Sequence, residues 1–208
     1  MNPAKVNFSA DEMELARNSH WLLTKNTIID KVYSLFGEYS AYLQDKLLDT
    51  SLETGSPKIS RGEKYKGLPY VMLDYPRLFS HNEVCAIRTM FWWGKYLSVT
   101  LHLKGAAVTR CRERIADRYT LLAASPFFVA RDEDEWNHDL QTEQFIPVSN
   151  LHQAGFSELL KQSKVIRISL RMGLDRMNEG VLAVSHTFDL MLKILGVEKT
   201  ATDQLPSR

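Results

Sequence analysis

The sequence predicts an α+β fold: a short, mainly antiparallel sheet with amphipathic helices at both ends of the chain. Three observations carry this. Glu83 to Trp92 and Tyr96 to Leu103 read as strands around Gly94, the best hairpin signal in the chain. Val165 to Met172 alternates, with Ile166, Ile168, Leu170 and Met172 on one face and Val165, Arg167, Ser169 and Arg171 on the other. The terminal regions follow a 3.6-residue apolar period instead.

Ser9-x-x-Glu12 is a capping box, in which each side chain satisfies the other residue's free N–H, so a helix starts there with Met13, Ala16, Leu22 and Leu23 as its apolar positions. Asn26 or Thr27 can cap a second helix, whose stripe is Ile28, Val32, Leu35, Phe36, Tyr39, Leu43 and Leu47. Residues 10–24 and 27–49 are therefore two helices or one long one. Residues 50–67, rich in Gly, Ser, Thr and Lys, read as a long mobile loop. Leu68 to Tyr75 is a strand stopped by Pro76, which cannot donate to a ladder.

The hairpin register follows from side-chain alternation. A Trp93-Gly94-Lys95 loop pairs Phe91 with Leu97, Thr89 with Val99 and Ile87 with Leu101, and sets Arg88 opposite Thr100 and Ala86 opposite His102. A one-residue slip would put Arg88 on the apolar face. Further on, the pattern predicts a helix at 107–122, short strands at 126–130 and 145–148, a helix capped around Asn150 to Gln153 and ending near Gln162, and a last helix over 174–195. That last helix carries Met177, Val181, Val184, Phe188, Met191 and Leu195, with Gly196 after it. The expected organisation is one domain over 1–208: a helical segment at about 10–49, sheet and helices at about 68–195, and a frayed tail at 197–208.

A net charge of +1 provides no global field for nucleic acid or membrane. No apolar run approaches 18 residues, and the first residues lack the apolar stretch of a secretion signal. Cys85 and Cys111 stand apart from any CxxC or Cys/His cluster, so they read as buried free thiols. The cytoplasm is the expected compartment. The segments YKGLPYVMLDYPRLF (Tyr65 to Phe79) and AIRTMFWWGKYLSVTLHLKG (Ala86 to Gly105) resemble a family of bacterial hypothetical proteins. That resemblance implies no activity, cofactor or catalytic residue.

Walker, dinucleotide-binding, nucleophile-elbow and zinc-protease motifs are absent from the sequence. Four weaker constellations remain. In the acidic segment from Asp132 to Asp139, Glu135 and His138 would share a face if helical and could ligate one metal; a solvated acidic loop is the preferred reading, and neither metal nor cofactor is expected. Arg110, Arg114 and Arg118 align at i, i+4 and i+8 and could track phosphates, although Glu113 and Asp117 can pair with them. Arg61, Lys64 and Lys66 in the 50–67 loop could close over an anion. If the hairpin and the 165–172 strand belong to one sheet and their apolar faces meet the same helices, the polar face gathers Arg88, Thr100, His102, Arg167 and Arg171, a set suited to a carboxylate or phosphate. A merely wet face explains that set equally well.

Among the histidines, His186 reads as a packing residue, and Asp74 reads as a turn former rather than a general base. The crowded Trp92, Trp93 and Tyr96 read as core or interface. The leading functional expectation is an intracellular binding protein for a small anionic or phosphate-bearing ligand. One alternative is an enzyme using Asp74, Glu135, His102 or His138 as acid–base or single-metal groups. Another is a structural or homodimeric protein, with the Trp-rich hairpin at its interface.

Overall fold

The computed structural model describes residues 6–48, 50, 52 and 54–197, and the tail expected to fray lies, apart from Val197, outside them. It has the α+β architecture with helices at both ends. Helix α1 (Ala10–Arg17) opens on the expected Ser9/Glu12 capping box. Asn18 then ends α1 and caps α2 (Ser19–Leu47) through its side chain, which accepts from Trp21 N. The break between the two N-terminal helices thus falls at Asn18, well before residues 25–27. The inner stripe of α2 is Ile29, Val32, Phe36, Tyr39, Leu43 and Leu47. Ile29 replaces the expected Ile28, which is exposed, and Leu35 is only half-buried.

Strands β1 (Lys58–Tyr65), β2 (Leu68–Phe79), β3 (Glu83–Trp92), β4 (Tyr96–Gly105), β5 (Phe127–Ala130), β6 (Phe145–Pro147) and β7 (Val165–Gly173) form one sheet in the order β1-β2-β3-β4-β7-β5-β6. Every neighbouring pair is antiparallel. The hairpin register is the expected one, with Arg88 opposite Thr100 and Ala86 opposite His102. The expected loop at 50–67 is corrected: its second half is β1, paired with β2 from Lys58↔Asp74 to Tyr65↔Leu68. Pro76 does not end β2. It falls in a register shift between Asp74 and Arg77, where the ladder asks no N–H of it, and the Tyr75–Pro76 peptide is cis.

The predicted helix at 107–122 is two helices, α3 (Ala106–Asp117) and α4 (Tyr119–Ala123), divided at Arg118. Helix α5 (Gln153–Gln162) is capped by His152, whose Nδ1 accepts from Gly155 N at 3.0 Å, and not by Asn150. Residues 174–179 are 3-10 helix before α6 (Gly180–Leu195), which ends on Gly196 at φ 68°.

One sheet face is apolar. Ile87, Phe91, Leu97, Val99, Leu101, Ile166, Ile168 and their neighbours pack with the buried sides of α2, α3, α5 and α6. Burial of this face is the main stabilising term, at about 25 cal/mol per Å² of apolar surface. The opposite face holds a smaller cluster of Met72, Met90, Trp92, Tyr96, Ala130, Leu140 and Phe145. Trp92 and Tyr96 are therefore core residues, and Trp93 is half-buried. No helix among the described residues is long and apolar enough to cross a membrane.

Candidate functional site: a charged layer under an acidic strap

The pleat fixes what lies on the second face. Side chains two residues apart share a face, and neighbouring strands lie about 4.8 Å apart. One row across β2, β3, β4, β7 and β5 reads Asp74, Arg88, Thr100, Ser169, Phe128. The next row across β3, β4 and β7 reads Ala86, His102, Arg167. Arg88, His102 and Arg167 are thus near neighbours, as the alternation predicted.

This face is not wet. Arg88 is 7% exposed, Arg167 1% and His102 0%. What covers them is the segment between β5 and β6, residues 131–144, and not the 50–67 region. The reading of Asp132 to Asp139 as a solvated acidic loop is therefore corrected: Glu133 and Asp134 are exposed, but Asp132, Glu135 and Asp139 are half-buried and paired. Asp132 pairs with Arg167, which also donates to the carbonyl of Asn137. Glu135 takes Lys104 at 2.5 Å and lies 3.4 Å from His102 Nε2. Two tyrosines rising from the sheet tie down the middle. Tyr65 Oη accepts from His138 N at 2.7 Å, and Tyr96 Oη accepts from Leu140 N at 2.7 Å while donating to His138 O. Lys66 holds Asp139 at 3.0 Å. Leu140 is the strap's buried apolar anchor.

Segments fastened mainly by polar contacts open more readily than packed cores. Endoproteinase Glu-C is accordingly expected to cut at the exposed Glu133 or Glu143 before Glu63, which lies within β1 and is held by Lys25 at 2.6 Å. A mobile loop at 50–67 would have placed the first cut near Arg61 to Lys66; earlier cutting at Glu63 would show that β1 is the looser segment.

Each cation has a carboxylate. Arg88 Nε lies 2.6 Å from Asp74 Oδ1 and Nη2 lies 3.4 Å from Oδ2. Its guanidinium is sandwiched between Phe79 and Trp136, at 5.6 and 5.2 Å from the ring centres. Asp74 is thus a buried mid-strand partner, neither a turn former nor a free base. Thr100 and Ser169 share a hydrogen bond of 2.8 Å. Yet several polar nitrogens remain over. Arg88 Nη1, Arg167 Nε and both ring nitrogens of His102 are buried with no hydrogen-bond partner among the described residues. Such a group costs on the order of 1–3 kcal/mol when left unsatisfied.

Burial, with Arg88 beside it, pushes the His102 imidazole down to about 4; Glu135 opposes this only in part. His138 is pushed down to about 3 by burial, then by Arg88, Arg167 and His102. Both rings are neutral at pH 7. Burial also lowers the Arg167 guanidinium despite Asp132.

The other candidates disperse. Arg171 lies over the rings of Tyr96 and Phe128 and also lines a separate cleft of about 440 Å³ with Arg176 and His186. His186 is exposed there, not packed. Arg61 sits 3.7 Å from Asp30 on the helical side, Lys64 is exposed on β1, and only Lys66 reaches the strap. The arginine stripe is consumed locally: Arg110 pairs with Glu83, Arg114 donates to Leu195 O, and Arg118 breaks the helix. Glu135 and His138 do not share a helical face, because 131–144 is not helical; Glu135 turns to Lys104 and His102, and His138 to the Tyr65 ring. No three His, Cys, Asp or Glu side chains among the described residues are grouped to hold a metal. Sequence reading missed Asp132, Trp136 and Phe79 as members of the layer. No family model matches the chain, and neither a curated protein nor a solved structure resembles it closely enough to count as a match.

Proposed function

We propose that the protein binds a small anion, a carboxylate or a phosphate, at Arg88, His102 and Arg167 beneath the 131–144 strap. The observation that carries this is the set of buried, unpartnered nitrogens on adjacent rungs of one sheet face, among them the N–H groups of Arg88 and Arg167 and the one N–H of His102. An oxyanion accepts from several N–H groups at once, and guanidinium geometry suits carboxylate and phosphate alike. The strap supplies the competitor. Asp132 already occupies Arg167, and Glu135 lies against His102. An incoming anion exchanges with these carboxylates and releases the strap as it binds, so affinity depends on the difference between the two.

The test is thermal stabilisation at constant ionic strength by inorganic phosphate or by succinate, with chloride as reference. Asp132→Asn removes the competing charge and is expected to tighten binding about tenfold, equivalent to roughly 1.4 kcal/mol. Arg167→Gln is expected to abolish stabilisation. A preference between phosphate and succinate identifies the ligand class. No stabilisation by either anion, in the wild-type protein and in Asp132→Asn, would remove the binding role.

A further inference from the structure

We infer that α1 and the first turns of α2 form a self-association surface, occupied by the same segment of a second copy of this chain. No residue of α1 is buried, and none of α2 before Ile29 is. The segment is nonetheless apolar. Phe8 is 69% exposed, Leu15 54%, Leu22 53% and Leu23 64%, with Met13 and Trp21 also exposed. Leu22 lies seven residues before Ile29, so it continues the stripe that α2 presses onto the sheet. A helix of 29 residues is about 43 Å long, and its buried stripe covers only the part from Ile29 onward. The apolar stripe overhangs the domain.

Two physical arguments require a partner. Helices shorter than about 12–15 residues are marginal alone in water, and α1 has 8 residues and no tertiary burial. Surfaces of this apolar content are seldom left open on a monomer. Two further arguments select a second copy. Those six side chains expose on the order of 600 Å², and a polar rim brings the footprint close to the ~800 Å² that each partner gives a standard interface. Charge is also compatible with self-pairing. Helix α1 carries Asp11, Glu12 and Glu14 against Arg17, whereas Ser19 to Ile29 carries no carboxylate, its Lys25 being held by Glu63 of β1 at 2.6 Å. A two-fold axis that sets α1 of one copy antiparallel to the start of α2 of the other keeps the acidic turn of each copy away from like charge, as an isologous interface repeats every contact. Trp21, edge-on to Trp93 at 6.4 Å, anchors this surface to the β3–β4 hairpin.

Sedimentation equilibrium of the full chain between about 1 and 100 µM tests this. A dimer of twice 23.9 kDa is expected. The double variant Leu22→Asp/Leu23→Asp is expected to raise the dimer dissociation constant at least ~100-fold, a difference of about 2.7 kcal/mol, with the circular dichroism and melting midpoint of the monomer retained. Leu182→Asp alters an equally exposed apolar side chain on α6, 79% exposed, and is expected to leave the dimer intact. A wild-type monomer at 100 µM would overturn the inference, as would a double variant that still dimerises. Adsorption of a monomeric wild-type protein to phosphatidylcholine vesicles would overturn it too, by assigning the surface to lipid.

Discussion

Asp74→Ala is expected to destabilise the protein by about 3–5 kcal/mol, the usual cost of stranding one member of a buried ion pair. The reason lies in Arg88. Its carboxylate partner is 5% exposed and its own side chain is held between Phe79 and Trp136. With Nη1 already unpartnered, loss of Asp74 leaves most of the guanidinium without an acceptor. For a chain of this length, the melting midpoint should fall by roughly 6–20 °C. Arg88→Ala alone is also expected to destabilise, because Arg88 is buried rather than on the wet face the sequence equally allowed. The double variant Asp74→Leu/Arg88→Met removes both charges and should recover most of the stability, because a well-packed apolar pair is often neutral or better than a buried salt bridge. By contrast, breaking the exposed Arg176–Glu179 pair should leave the melting midpoint almost unchanged. A loss below about 1 kcal/mol for Asp74→Ala would mean that water reaches Arg88 freely.

Acid is expected to lift the strap before it unfolds the sheet. An unperturbed imidazole takes up its proton near pH 6.5. In the closed molecule His102 does so only near 4 and His138 only near 3. Between those values the open strap binds protons that the closed one refuses, so closure is fully favoured above about pH 6.5 and weakens as pH falls toward 4. From His102 alone the loss is about 2 kcal/mol by pH 5. His138, facing Arg88, Arg167 and His102, adds to it in the same direction. Asp139, held below its ordinary value by Lys66 and Gln141 despite burial, contributes only at lower pH. Hydrogen exchange, corrected for intrinsic chemistry, should show protection over 131–144 dropping between pH 7.5 and 5 while β3 and β4 stay protected. His102→Asn should flatten the profile. Constant strap protection across that range would dissociate the histidines from closure.

The outcome separates what local pattern encodes from what it leaves open. Hairpin register was legible because a one-residue slip moves every side chain to the other face, and only one register kept Arg88 away from Leu97, Val99 and Leu101. That placed Arg88, Thr100 and His102 on one side, and the alternation of 165–172 adds Arg167 and Arg171 once β7 joins the same sheet beside β4. Strand β1 was not legible. It pairs with a single neighbour, and Gly62 is required for a reason only the fold displays: a Cβ there would come within 2.6 Å of the Tyr70 ring. Nor could the sequence show what covers the polar face. The contacts of Asp132 with Arg167 and of Tyr65 with His138 span more than 30 and 70 residues, and no periodicity records them.

The order of the strands bears finally on how copies of this chain can meet. Among the described strands, only β1 and β6 have an unpaired side. Strand β1 offers Lys58, Arg61, Glu63 and Lys64 and an irregular ladder between Gly62 and Tyr65; β6 is three residues long and ends on Pro147. Charge, irregularity, brevity and proline all oppose strand addition and runaway polymerisation. Both margins of the sheet thus resist further strand addition, which leaves a finite helix-to-helix contact as the form of self-association that the proposed surface would allow.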